Sequence, residues 1–181
     1  MAILKVARLG HPVLREKCRD LAPEEIVSEP IKQFVRDLHE TMLEYGGVGL
    51  AAPQVHSPLR LALVEFDEGS TRYFVGSAQP LLVVFNARVT VLDASPSGFW
   101  EGCLSVPGLR GWVERPSRIQ VDYLDAEAEP QRIVAEGFLA TVLQHELDHL
   151  DGVLYVDRIR DPTRFAFVEE FERYHVQRGE A

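Results

Sequence analysis

The segment His145-Glu146-Leu147-Asp148-His149 sets two imidazoles four residues apart, with a carboxylate directly after the first. On a helix that spacing puts both rings on one face, one turn apart, where they can share a single metal ion. Glu146 can then point at a water held by the same ion and act on its proton. The residues around the motif, from Phe138 to Leu150, are apolar over most of a helical circumference, which predicts a buried helix. Three ionisable groups inside such a helix are costly unless they are paired or coordinated. Two core histidines hydrogen-bonded to neighbours would be the plain alternative, and it leaves Glu146 without a purpose.

A catalytic metal site of this type takes a third protein ligand and leaves a position open for water. Three placements can be weighed. One metalloprotease spacing requires Gly152, which is present, and a histidine three residues later, where Tyr155 stands. A second takes a glutamate about twenty residues downstream, such as Glu169 or Glu170, but both lie in an acidic stretch that reads as a solvated helix face. The third is Cys103, in Glu101-Gly102-Cys103-Leu104-Ser105, whose thiolate would suit iron(II) or zinc. A lone cysteine is more often a buried thiol, so the residues by themselves leave the third ligand open. Cys18, the other cysteine, reads as a buried or half-buried free thiol.

The elements that must position these groups can be outlined from periodicity. A helix is predicted from Glu29 to Tyr45, with Ser28 as N-cap, Pro30 in its first turn and Gly46-Gly47 ending it. Ile31, Phe34, Val35, Leu38, Met42 and Leu43 would form its buried stripe. Strands are expected at Leu59 to Phe66, Leu81 to Leu92, Ile119 to Leu124 and Gln131 to Ala135. A last helix is expected from Pro162 to Val176, with Asp161 as N-cap and Phe165, Val168 and Phe171 facing inward. The fold class is therefore α+β: mostly antiparallel strands packed around the central buried helix, with an N-terminal and a C-terminal helix. At 181 residues the chain is predicted to form a single domain.

Composition narrows the function. A net charge of −9 speaks against nucleic acid as the main ligand, because phosphate binding needs a basic surface. No apolar run is long enough to span a membrane, and the N-terminal residues lack the layout of a secretory signal, so a cytoplasmic location is expected.

Three short motifs, in order, make the chain resemble the peptide deformylases. They are Gly47-Val48-Gly49-Leu50-Ala51-Ala52-Pro53-Gln54, then Glu101-Gly102-Cys103-Leu104-Ser105, then Gln144-His145-Glu146-Leu147-Asp148-His149. The opening Leu9-Gly10-His11-Pro12-Val13-Leu14 and the continuation Leu150-Asp151-Gly152 fit as well, in the manner of the bacterial and organellar branch that ends in a helix.

The resemblance implies a hydrolase that removes the formyl group from the N-terminal methionine of new proteins. It assigns Cys103, His145 and His149 to one divalent metal ion, characteristically Fe2+, with Zn2+, Ni2+ or Co2+ also accepted. Glu146 would be general base and then general acid, while the Gln54 amide and the Leu104 backbone N–H would face the oxyanion. Gly47, Val48, Gly49 and Leu50 would pair with an extended N-formylmethionyl peptide as an added strand. Glu101 and Val142 would border the substrate, with His145, Val48 and Leu104 around the methionine. Glu101, Arg115 and Asp148 are further candidates for holding the ligands: Asp148 could orient His145 or pair with Arg115, either there or as a surface salt bridge.

The chain departs from the family's pattern in two places. Asn86-Ala87 stands where Asn-Pro is usual. The C-terminus is acidic, with Glu169, Glu170, Glu172 and Glu180 against Arg173 and Arg178, where some relatives dock on ribosomal RNA with a basic helix. At most a weak ribosome contact is expected, with no direct readout of nucleic acid and no membrane partner.

Overall fold

The computed structural model describes residues 2–67 and 78–176. It is an α+β fold with one antiparallel sheet and several helices. After a 3-10 turn at Pro12–Arg15 come α1 (Pro23–Ile26) and α2 (Glu29–Glu44). The sheet is built from β1 (Gly49–Ala51), β2 (Leu61–Phe66), β3 (Gln79–Cys103), β4 (Val106–Leu124) and β5 (Pro130–Glu136), neighbours in that order. Then follow α3 (Gly137–His149), β6 (Phe165–Phe167) and α4 (Val168–Tyr174), with β6 pairing on β4. Among the described residues no helix is long and apolar enough to cross a membrane.

α2 starts where expected, although Ser28 caps differently: its hydroxyl donates to the Glu25 carbonyl, and no side-chain cap bond forms. The predicted stripe is correct for Leu38 and Met42, both fully buried, and wrong for Leu43, which is 54% exposed. Leu43 lies one residue beyond the inward face that Leu38 and Met42 define, so its side chain turns to solvent.

The largest difference from the sequence-based expectation lies in β3 and β4. The expected strands Leu81–Leu92 and Ile119–Leu124 are the ends of one long bent hairpin. Its middle, including Ser95-Pro96-Ser97-Gly98, resembles a turn in sequence, but Pro96 pairs with Pro116 and Gly98 with Glu114. Register shifts absorb the irregularity at Phe85/Arg88, Val91/Asp93, Asp93/Pro96 and Glu101/Cys103. The hairpin closes on Leu104-Ser105, between the Cys103–Val106 pair.

At Asn86-Ala87 the missing proline is replaced by hydrogen bonding. Asn86 takes a positive φ of 53°. Its side chain accepts from the Leu21 N–H at 2.9 Å and donates to the Leu21 carbonyl at 2.8 Å.

The C-terminal expectation also needs correction. In place of one helix from Pro162 to Val176, a short 3-10 turn leads to β6 and then α4. Asp161 does cap the first turn, accepting from the Thr163 N–H at 2.9 Å. Phe171 is fully buried, whereas Phe165 lies in a strand and is 39% exposed. Apolar residues three apart fit a helix face, but strand pairing with β4 takes precedence over that pattern here. Arg178 and Glu180 lie outside the described residues.

α3 packs against β1, β2, β3, β4 and β5. Its residues Ala140 to Leu147 and His149 are buried, and Gly137 opens it with a left-handed φ of 58°. The apolar residues of α3 share one core cluster with Ala62, Val64, Ile119 and Val121 of the sheet.

Candidate metal centre and active site

α3 brings the two imidazoles together, with ring centroids 5.0 Å apart and planes nearly perpendicular. The tip of the β3–β4 hairpin delivers the third donor. Cys103, His145 and His149 offer ligand atoms that all lie within 4.8 Å of one another, and Cys103 Sγ is 3.3 Å from His149 Nε2. Tetrahedral coordination at ordinary Zn–S and Zn–N lengths separates such donors by about 3.5 Å. Glu169 and Glu170, the competing candidates, are exposed on α4.

Two atoms mark this spot as built for something more than hydrogen bonding. Glu146 Oε2 and His149 Nδ1 are buried with no hydrogen-bond partner among the described residues. Leaving such groups unmatched costs roughly 1–3 kcal/mol each. A soft thiolate beside two imidazoles fits a transition-metal ion such as iron(II) or zinc.

Around His145 the polar groups are tightly matched. Glu101, 6% exposed, accepts from Arg115 Nε at 2.6 Å and Arg115 Nη2 at 2.9 Å, and its Oε2 stands 2.7 Å from His145 Nδ1. That bond leaves His145 Nε2 for the metal side. Asp148 bonds Arg115 Nη1 at 2.8 Å and also pairs with Arg158, so its partners are the guanidinium groups, and Glu101 is the carboxylate on the histidine. Arg115 is only 3% exposed, which removes the surface salt bridge as an account of it.

The electrostatics follow from burial and these partners. Burial pushes Glu101 up, but Arg115 and His145 outweigh it and hold the carboxyl below its usual range. His145 is pulled down by burial and raised more strongly by Cys103 and Glu101. His149 is lowered, mainly by burial and then by the charges of His145 and Arg115, so it stays neutral and able to coordinate. Burial lifts Glu146 to about 7, the range in which a carboxyl can both take and give a proton near neutral pH.

The segment after α2 closes the opposite side. Gln54 is 1% exposed in a short 3-10 turn. Its Oε1 accepts from the Ala51 N–H at 2.8 Å, and Nε2 lies 3.2 Å from Ser105 Oγ and 3.4 Å from Cys103 Sγ. The amide therefore faces the metal donors and the Leu104-Ser105 turn together. Gly49 packs directly on Glu146: a Cβ there would stand 2.7 Å from Cδ and 2.8 Å from Cγ. Its φ is not left-handed, so close approach, not dihedral freedom, is what requires glycine.

A cavity of about 800 Å³ opens beside these groups, lined by Gly47, Val48, Gly49, Leu104, Phe138 and Val142, among others. Leu50 is fully buried and does not line it, so only its backbone can serve the cavity. Glu101, Arg110 and Trp100 are also on its wall.

A model of the polypeptide deformylase family matches residues 3–165. The chain belongs to the polypeptide deformylase family. A peptide deformylase of Leptospira biflexa is 41% identical over 172 residues, covering 95% of this chain and 96% of the relative. Peptide deformylase 1 of Prochlorococcus marinus is 40% identical, covering 95% and 88%. Among solved structures, a class I type b peptide deformylase from Acinetobacter baumannii bound to Met-Ala-Ser superposes with a TM-score of 0.83 at 36% identity, covering 87% of this chain and 99% of that one. One from Synechococcus elongatus in complex with actinonin gives 0.79 at 33%, covering 100% and 88%.

In this deformylase, the structure adds residues that the motifs left unassigned. The N-terminal segment is stitched to both loops of the site: the Ala7 N–H donates to the Gln54 carbonyl at 2.7 Å, and the Leu9 N–H to the Ser105 carbonyl at 2.8 Å. Nothing in a short apolar stretch signals such a task. Ser105 closes the second motif, but its contact with Gln54 depends on a fold that joins positions far apart in sequence.

Proposed function

We propose that this chain hydrolyses the formyl group from N-formylmethionyl peptides, using one divalent metal ion held by Cys103, His145 and His149. The observation that carries the reading is the buried carboxyl of Glu146 beside three converging donors, one of its oxygens without a hydrogen-bond partner among the described residues. When bound, the ion polarises the formyl oxygen and makes water acidic enough to react near neutral pH. The donor set suits Fe2+, and also Zn2+, Ni2+ or Co2+.

The chain's own residues do the rest. Glu146 takes a proton from the attacking water and later returns it to the leaving amine nitrogen; its pKa of about 7 suits both tasks. The Gln54 Nε2 amide and the Leu104 backbone N–H are the donors placed for the developing oxyanion, worth about 2.7–4 kcal/mol each in systems of this kind. Glu101 fixes the tautomer and orientation of His145, and Arg115 and Asp148 hold Glu101 in turn.

β1 is an edge strand of the sheet, so the backbone of Gly47 to Leu50 can pair with an extended peptide and tolerate many sequences. The methionine side chain lies against Val48, Leu104 and Val142. A relative binds Met-Ala-Ser, the peptide expected after loss of a formyl group. The substrate class is new polypeptides in the cytoplasm. Ribosome contact, if made through the acidic C-terminal segment, would be weak at physiological salt.

The test is formate release from formyl-Met-Ala-Ser by protein purified without air, with acetyl-Met-Ala-Ser as control. Release from the formyl peptide alone is expected. Hydrolysis of the acetyl peptide would replace this reading with that of a broader deacylase.

A further inference from the structure

The C-terminal segment reaches the cavity by a route that the catalytic motifs do not involve. β6 pairs with β4 through Leu109–Phe167, Arg110–Ala166 and Gly111–Phe165, a few residues beyond the hairpin tip that carries Cys103. Ahead of it, the Arg164 guanidinium sits 3.7 Å from the Trp112 ring centre and 5.7 Å from that of Trp100. Behind it, the fully buried Phe171 ring lies 4.8 Å from Trp100, and His175 lies 4.7 Å from the same ring. An aromatic–cation clamp of this kind holds a short helix in a fixed place.

α4 then shows two faces. Phe171 turns toward Trp100, while Val168 and Glu172, one turn apart, line the same cavity as Cys103, His145 and Glu146. A segment that only covered the tryptophans would have no reason to reach the cavity. At about 800 Å³ the cavity is at the upper end of the roughly 300–1,000 Å³ of small-ligand pockets, larger than one methionine needs.

We infer that α4 is a substrate-facing wall, with Val168 selecting by size the residues that follow the methionine. This rests on the deformylase reading of the site and extends it to substrate preference. Val168 limits the size of the downstream side chain. An apolar wall of this kind discriminates by about 10–200-fold per misfit group.

The experiment measures kcat and KM of the full-length, metal-loaded enzyme on formyl-Met amide, formyl-Met-Ala-Ser, formyl-Met-Ala-Trp, formyl-Met-Ala-Lys and formyl-Met-Ala-Glu. Val168→Trp should lower kcat/KM for the tripeptides about tenfold through KM and leave formyl-Met amide within about twofold. Val168→Ala should raise formyl-Met-Ala-Trp relative to formyl-Met-Ala-Ser. Val168→Trp should slow formyl-Met-Ala-Lys and formyl-Met-Ala-Glu alike, with melting curves confirming that each variant folds. Equal effects on all substrates, including the amide, or unchanged ratios in both variants, would overturn the inference. Absence of formate from every substrate with wild-type protein would instead remove the deformylase reading itself.

Discussion

The two sides of the metal centre are built on opposite rules. On the hairpin side Glu101, Arg115, Asp148 and Arg158 bond one another in a chain that ends on His145 Nδ1. On the β1 side Glu146 is pressed against the bare backbone of Gly49, and among the described residues neither its Oε2 nor His149 Nδ1 has a hydrogen-bond partner. One side is satisfied and therefore stiff; the other holds unpaired polarity against the cavity. The difference teaches that the first fixes geometry and the second supplies reactivity, so substitutions on the two sides should fail in different ways.

The largest effect is expected at Glu146. Glu146→Gln should reduce kcat by about 10²–10⁴-fold while the protein keeps its metal, read by formate release beside metal analysis. Loss of metal along with activity would erase the distinction between the two sides. On the stiff side, Arg115→Ala leaves the buried Glu101 with His145 alone beside it, which should cost about 3–5 kcal/mol of stability in denaturant melts. Metal affinity should fall about 10–100-fold with it. A stable Arg115→Ala protein with normal metal binding would show that the chain of charges is dispensable.

Between these lies Gln54→Ala, expected to lower kcat by roughly 10²–10³-fold with little change in KM. Glu146 also offers a test in the metal-free protein. Its folded pKa of about 7 lies above the usual 4.5, so its carboxyl favours folding below about pH 4.5, and that contribution is lost as pH rises through 7. The stability advantage of Glu146→Gln over wild type should therefore grow by on the order of 3 kcal/mol between pH 4.5 and 8. A flat difference would mean that Glu146 is better hydrated than its burial implies. The smallest effect belongs to Gly49→Ala. Crowding the buried Glu146 should cost about 1–3 kcal/mol of stability, and because Glu146 must shift, kcat should drop up to about 10²-fold.

Much of the reactive side was legible in the sequence. His145, Glu146 and His149 are ionisable groups in an otherwise apolar helix, and little besides metal binding and proton transfer offsets the cost of burying them there. Cys103 was not legible by itself: only the company of three ordered motifs raised it above a buried thiol. The stiff side was half legible. Glu101, Arg115 and Asp148 could be named, but which carboxylate meets His145 depends on register across the β3–β4 hairpin, and no local pattern encodes that. The hairpin was hidden because Ser95-Pro96-Ser97-Gly98 carries turn chemistry, yet partner strands hold it extended. Phe165-Ala166-Phe167 was hidden for the converse reason: its apolar spacing suits helix and strand alike, and a free edge of β4 decided between them.

The stitching of the N-terminal segment has a kinetic consequence. Ala7 and Leu9 bond to Gln54 and Ser105, and the Cys18 N–H bonds to the Leu150 carbonyl at the end of α3. Ala7, Leu9 and Cys18 can therefore settle only after partners far downstream in the chain have appeared. Contacts so distant along the chain slow folding, and synthesis itself runs at about 5–20 residues per second. The site should thus be among the last parts of the molecule to form, with the opening segment acting as a latch that closes over a finished sheet.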